Sequence, residues 1–97
     1  MFGLDDKQIA FIKEILRKNI NNPNAKFYIF GSRSKEKHSK YSDVDIAIES
    51  FDFDFNQKLK IELDFENSTF PYKVDIINLN EINENFKNLI KNDLKEI

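Results

Sequence analysis

The chain has no cysteine, no tryptophan, and only two glycines and two prolines among 97 residues. Without cysteine it can form neither a disulfide framework nor a thiolate metal site. Its longest apolar runs, such as residues 27–30, are four residues long and far too short to cross a bilayer. The first residues, MFGLDDKQ, lack the basic and apolar regions of a secretory signal. We therefore expect a cytoplasmic protein that does not associate with membranes.

The chain also lacks a basic surplus, because its formal net charge is −2. General nucleic-acid binders usually carry the opposite sign, so we expect no direct nucleic-acid partner. Hydrophobic residues make up 40% of the chain, which is typical of a folded globular protein. The length favours a single domain over residues 1–97.

Periodicity predicts an alternation of helices and strands in the order αβ(α)βαβα. The predicted helices cover residues 4–20 and 55–66 and a last segment after Asn80, with a possible short helix at 32–38. The second long helix is predicted from Phe55, Leu59 and Leu63 at i, i+4 and i+8, with Ile61 and Phe65 less regular. In the last helix the predicted buried stripe is Ile82, Phe86, Leu89, Ile90 and Leu94. The predicted strands are 26–30, 43–49 and 72–78. We expect an α/β (α+β) fold with a small mixed sheet of three to four strands and helices mainly on one face; the first two strands are expected to be antiparallel.

Three aspartates lie in the predicted strands, where this residue is disfavoured. Asp43 and Asp45 flank one valine, and Asp75 lies between Val74 and Ile76. Like charges on one face repel each other, and each carboxyl would have a raised pKa unless a cation compensated it. A divalent metal is the economical cation, because Mg²⁺ prefers hard oxygen ligands. Two such ions, about 3.5–4 Å apart, can clamp the attacking and leaving oxygens of a displacement at phosphorus.

Gly31 and Ser32 directly follow the first predicted strand and supply the second half of a possible site. Glycine lets the backbone approach a phosphate closely. A helix beginning at Ser32 would offer free N–H groups to an anion. Arg33 and Lys35 add positive charge nearby. The stretch thus predicts a phosphate-binding turn followed by a metal-binding pair.

Each feature also has a simpler interpretation. A Gly-Ser pair after a strand is usually only a turn, and an Asp-x-Asp pair is often a solvated strand edge. Asp75 alone could be an exposed residue or could contact a lysine. The combination, in this order and on these elements, favours the functional interpretation. His38, which lies among lysines, is expected to be a solvated loop residue.

The segment GSRSKEKHSKYSDVDIAIE, residues 31–49, resembles the G-S-x-A-[RK]-G…S-D-x-D-[LI] signature of the minimal nucleotidyltransferases, small relatives of the DNA polymerase β superfamily. The stretch VDII around Asp75 looks like their third-carboxylate strand. The resemblance implies the polymerase β-like nucleotidyltransferase fold. Ser34 and Glu36 depart from the pattern, since alanine and glycine are common at these positions.

The resemblance also implies roles for individual residues. Gly31 and Ser32 match the turn that binds the triphosphate, and Arg33, Lys35 and Ser42 match neighbouring nucleotide-binding positions. The two-metal pair corresponds to Asp43 and Asp45. Asp75 corresponds to the acid that holds the catalytic metal and helps to deprotonate the acceptor hydroxyl.

Many members of the family pair with a HEPN-domain protein in a toxin–antitoxin module. The resemblance therefore implies a Mg²⁺-dependent enzyme that transfers AMP from ATP to a tyrosine of a HEPN toxin and acts as its antitoxin. Two alternatives stay open at this point. One is a non-catalytic module that neutralises its partner by complex formation, and the other is an aminoglycoside-type small-molecule nucleotidyltransferase.

Overall fold

The computed structural model describes residues 2–35 and 42–97. Its elements in chain order are α1 (Asp6–Asn19), β1 (Lys26–Phe30), β2 (Val44–Glu49), α2 (Phe55–Glu66), β3 (Val74–Asn78), α3 (Glu84–Ile90) and β4 (Lys95–Glu96). Both long helices begin at a capping box, formed by Asp5 with Gln8 and by Asp54 with Gln57. None of the helices in this part of the chain is long and apolar enough to span a bilayer.

The four strands form one mixed sheet in the order β3-β2-β1-β4. β1 runs antiparallel to both β2 and β4, whereas β2 and β3 are parallel and are connected through α2. The structure thus confirms the mixed sheet and the antiparallel first pair. Because β1 runs opposite to β2 and β3, its carboxyl end lies at the same edge as their amino ends.

The two faces of the sheet are covered unequally. α1 and α2 pack on one face, where their buried residues join alternate residues of the strands, including Phe27, Ile46 and Ile76, in the main core. The opposite face carries a smaller cluster built from Phe30, Ala47, Leu79 and Ile90. Most helical mass therefore lies on one face, as predicted, and the second face is only thinly covered.

The most regular apolar spacing in α2 does not mark its buried face. Phe55, Leu59 and Leu63 are 64%, 48% and 50% exposed, whereas Ile61 and Phe65 are buried. Phe65 packs in an aromatic cluster with Phe11 of α1 and with Phe70. That tertiary packing outweighs the i, i+4, i+8 regularity of the other three side chains.

The last helix is shorter than predicted, and its cap is Asn83 rather than Asn80. Asn80 instead donates from Nδ2 to the carbonyl oxygen of Ser50, at 2.8 Å. The helix ends at Ile90, and residues 95–96 form β4 along the free edge of β1. Of the predicted buried stripe, only Ile90 is fully buried, while Leu89 is 76% exposed.

Residues 31–35 form turns rather than the start of the predicted helix 32–38. The backbone N–H of Lys35 donates to the carbonyl oxygen of Gly31 at 3.3 Å, which closes a single helical turn. The rest of that predicted helix, residues 36–38, lies outside the described residues.

Candidate active site

Asp45 and Asp75 lie directly opposite each other on the parallel strands β2 and β3. Residues paired in register point to the same face of a sheet, so both side chains belong to the thinly covered face. Asp43 immediately precedes β2 and is exposed. All three acids therefore occur at the amino ends of two adjacent strands.

The negative charges of the three carboxylates interact electrostatically. Partial burial raises the pKa of Asp45, and the nearby charges of Asp75 and Asp43 raise it further. Among the described residues, Lys73 forms the ion pair with this group: its Nζ lies 3.9 Å from Oδ1 of Asp75, and its side chain is 73% exposed. A contact so long and so solvated compensates little charge.

The chemistry of these donors fits a divalent cation. Carboxylate oxygens are the ligands that Mg²⁺ prefers, and the pKa of Asp45 is raised by its burial and by the negative charges of Asp75 and Asp43. Within residues 2–35 and 42–97, however, no three acidic, histidine or cysteine side chains already converge closely enough to hold a metal ion. Asp43, Asp45 and Asp75 would hold Mg²⁺ only after their side chains adjust.

Gly31 brings the turn after β1 against the carboxylate of Asp45. Its φ of +75° lies in the left-handed region, and a Cβ built on it would lie 2.5 Å from Oδ2 of Asp45. No other residue type fits this position without displacing that carboxylate. The structure thus joins the turn and the acidic pair in one place, and Ser32 lies exposed beside them.

The predicted helix N-terminus at Ser32 is not formed by residues 31–35, so the anion site that it would offer is not present in this part of the chain. The turn is held instead by local hydrogen bonds. Ser34 donates from Oγ to the carbonyl oxygen of Gly31 at 3.0 Å. Backbone N–H groups of a turn, rather than a helix dipole, are what this segment offers to a phosphate.

Arg33 has a different place from the one predicted. Its side chain is completely buried, and the guanidinium donates from Nε and Nη2 to the carbonyl oxygen of Ser42 and from Nη1 to that of Phe2, over 2.8–3.1 Å. It also lies over the ring of Tyr72, 4.4 Å from the ring centroid. Arg33 is therefore not a free cation for a phosphate. It is a clamp that joins the turn to the starts of β2 and β3.

The other predicted nucleotide-binding residues lie in different settings. Lys35 is half exposed, and its Nζ lies 3.3 Å from Oδ2 of Asp93. Ser42 is half-buried, and its carbonyl oxygen accepts from Arg33. Glu36 and His38 lie outside the described residues. Sequence reasoning missed the Arg33 clamp, because nothing in the pattern distinguishes a buried arginine from an exposed one.

Comparison with known proteins bears on the chemistry of this site. The family described as Polymerase beta, Nucleotidyltransferase matches residues 10–97. A protein of Haemophilus influenzae named probable protein adenylyltransferase MntA is 33% identical over 89 residues, which are 91% of this chain and 76% of that protein.

Solved structures share the fold. A crystal structure of a toxin–antitoxin with AMP-PNP contains a chain that superposes with a TM-score of 0.74 at 25% identity, over 96% of this chain and 72% of that one. A structure of the tri-AMPylated HEPN toxin of Shewanella oneidensis in complex with MNT antitoxin matches with a TM-score of 0.71 at 23% identity, over 96% of this chain and 71% of that one.

Proposed function

The chain belongs to the polymerase β nucleotidyltransferase family, and we propose that it transfers AMP from ATP to a tyrosine hydroxyl of a HEPN-domain toxin and so acts as its antitoxin. One observation carries the proposal: Asp45 faces Asp75 in register, while Gly31 packs against the same Asp45 carboxylate. A phosphate-binding turn and an acidic pair in contact are what a phosphoryl-type transfer requires.

The residues of the chain have separable tasks in this reaction. Gly31 and Ser32 would bind the triphosphate of ATP, because the turn offers backbone N–H groups and the exposed Ser32 hydroxyl can donate a hydrogen bond. Asp43, Asp45 and Asp75 would hold two Mg²⁺ ions. When bound, Mg²⁺ neutralises phosphate charge. Arg33 keeps the turn and both acidic strands in register.

The transfer itself is a displacement at the α-phosphorus. The acceptor oxygen forms a bond to that phosphorus, the bond to the β-phosphate oxygen breaks, and pyrophosphate leaves. Asp75 accepts the proton of the acceptor hydroxyl. Holding the acceptor and ATP in line supplies most of the rate enhancement, because the protein forms no covalent bond with either substrate.

Two comparisons support the choice of substrates. The Haemophilus influenzae relative is named a probable protein adenylyltransferase, and the toxin–antitoxin structure contains AMP-PNP, an ATP analogue. We further propose a cytoplasmic location, because ATP is the substrate.

The test combines the purified chain, its HEPN-domain partner, MgCl₂ and ATP labelled at the α-phosphate. We expect label on the partner, no label after chelation of Mg²⁺ by EDTA, and loss of transfer by about 100-fold or more in Asp43→Asn and Asp45→Asn, because each removes charge that the transition state needs. Glu49→Gln is the matched control, because Glu49 is an exposed acid at the far end of the same strand. Full transfer by Asp45→Asn with an intact fold would rule out this mechanism.

One observation favours the alternative of neutralisation by complex formation alone. Within the described ranges no three ligating side chains already converge on a metal position. A stable complex with the HEPN partner that carries no label, under conditions where ATP and Mg²⁺ are saturating, would identify that function instead.

A further inference from the structure

A groove of about 570 Å³ runs along the outer edge of β3, between the second half of α2 and residues 70–75. It ends at Asp75, and its lining includes Glu62, Glu66 and Tyr72. A second hollow of about 410 Å³, lined by Leu59, Glu62, Leu63 and Glu66, shares two of these residues. Because they share Glu62 and Glu66, the two hollows form one surface, called here the α2 groove, which extends from the middle of α2 to Asp75 on the outermost strand β3.

The α2 groove presents apolar side chains that nothing in residues 2–35 and 42–97 covers. Leu59 and Leu63 are each about half exposed, at 48% and 50%. They are spaced four residues apart and therefore point to the same side of the helix. Contiguous exposed apolar residues of this kind are typical of interaction surfaces.

The charges of the α2 groove are unbalanced. Glu62 and Glu66 form no ion pair with any described residue, whereas Asp64 on the neighbouring side of the helix is paired with Lys60 at 3.0 Å. Among the described residues, Lys73 is the one cation in the lining, and its Nζ lies 3.9 Å from Oδ1 of Asp75. The net negative rim disfavours a polyphosphate and favours a ligand with basic side chains.

The order of the strands separates the α2 groove from the turn that would bind ATP. The turn follows β1, Asp45 lies on β2, Asp75 lies on β3, and the groove lies beyond β3. An in-line displacement needs the attacking oxygen on the side opposite the leaving pyrophosphate. Along the strand order, the groove borders β3 on the side of the acidic pair away from the turn, around the edge strand from the face that carries the Asp45 and Asp75 carboxylates.

We propose that the α2 groove binds a segment of the acceptor protein that carries basic and apolar side chains, and that this contact delivers the acceptor hydroxyl to Asp75. Basic residues of the segment pair with Glu62 and Glu66, and its apolar residues cover Leu59 and Leu63. The inference rests on the proposed function, since it identifies how that function selects its acceptor.

The first test reverses the charge of the rim. Glu66→Lys and Glu62→Lys are titrated with the HEPN-domain acceptor by calorimetry, and initial transfer rates are measured. We expect Kd and KM for the acceptor to rise about tenfold for each variant, with KM for ATP within about twofold, because the groove contacts only the acceptor. Glu14→Lys, an exposed glutamate of α1, is the matched control and leaves all three constants unchanged.

The second test removes the apolar contact. Leu59→Ser combined with Leu63→Ser should weaken acceptor binding about tenfold or more, whereas Leu89→Ser, at the more exposed Leu89 of α3, should not. Because these leucines are already half in solvent, the variants are expected to keep the wild-type circular dichroism spectrum. Light scattering on the chain alone reports whether a second copy occupies the same surface.

The outcomes separate this inference from the proposed function. Unchanged acceptor binding in Glu66→Lys, alongside lost transfer in Asp45→Asn, overturns the groove and leaves the activity standing. Weakened ATP binding in Glu66→Lys overturns the proposal and indicates that a nucleotide occupies the groove. A dimer of the chain that dissociates in the leucine variants also overturns it, because a second copy of the chain would then occupy the groove. If acceptor binding weakens in Glu66→Lys and even the unaltered chain forms no labelled product, the result supports the groove and rejects the transfer reaction.

Discussion

Replacing Gly31 with alanine tests the contact on which the candidate site depends. The new Cβ would lie 2.5 Å from Oδ2 of Asp45, and ordinary contact begins at 3.4 Å. The carboxylate must therefore move by about 0.9 Å, the difference between these distances, or the turn must open by as much. Alanine at φ +75° also adds backbone strain of about 1–2 kcal/mol.

These two effects predict separate losses. The backbone strain lowers the melting temperature by about 4–8 °C for each kcal/mol in a domain of this size. The displacement of a carboxylate by almost 1 Å lowers the rate of AMP transfer by about 100-fold, because misplacement on this scale disrupts the reacting geometry. The free energy of unfolding is measured by urea titration and the rate by labelled ATP.

Two further variants separate the strain from the clash. Gly3→Ala is the control for strain, because Gly3 has a φ of 71° and is exposed. It should lose stability and keep full transfer. In an Asp45→Ala background the carboxylate that would clash is absent, so Gly31→Ala should lower the free energy of unfolding only by the backbone strain. The difference between this loss and the loss in the wild-type background gives the free energy of the clash. If Gly31→Ala costs no more than Gly3→Ala and transfers AMP normally, the turn does not press on Asp45 and the site as described is wrong.

Three other predictions concern stability. Arg33→Met should lower the free energy of unfolding by about 2–6 kcal/mol in urea titration, because two carbonyl oxygens lose the donors of a buried guanidinium and each loss costs about 1–3 kcal/mol; a loss below 1 kcal/mol would contradict the clamp. Asp45→Asn should raise the free energy of unfolding at pH 7, because burial and the neighbouring carboxylates raise the pKa of Asp45 above 3.8 and its ionised form therefore opposes folding. This gain in stability should shrink as the pH falls through the raised pKa. A gain that does not depend on pH would contradict this cause. Asp64→Asn should instead lower the free energy of unfolding at pH 7. A hydrogen bond from Asn19 and the nearby Lys60 lower the pKa of Asp64, so its contribution is present above pH 3.8 and is lost as pH falls through the lowered pKa; a constant deficit across that range would refute it.

Local signals in the chain sufficed wherever a structure depends on near neighbours. The capping pair Asp5 and Gln8, the strand 26–30 and the helix 55–66 were all predictable, because caps and periodicity are short-range effects. The acidic pair was recognisable for a related reason. Like charges within a buried strand are costly, and such a pattern indicates a ligand that offsets the cost.

The choice of the buried face of α2 was not predictable in the same way. Two apolar stripes compete on this helix, and the more regular one, Phe55, Leu59 and Leu63, is the exposed one. What decides between them is the aromatic contact of Phe65 with Phe11 and Phe70, which come from distant parts of the chain. The exposed stripe includes the leucines that we propose to contact the acceptor.

Composition, periodicity and the spacing of the three aspartates thus identified the elements and the kind of chemistry, since both follow from residue types and short distances along the chain. The pairing of Asp45 with Asp75, the contact of Gly31 with the Asp45 carboxylate and the hydrogen bond from buried Arg33 to Phe2 join residues 14 to 31 positions apart in the chain. Such contacts depend on strand register and on which side chains fill the interior. Both are properties of the assembled sheet and core, to which all segments contribute at once.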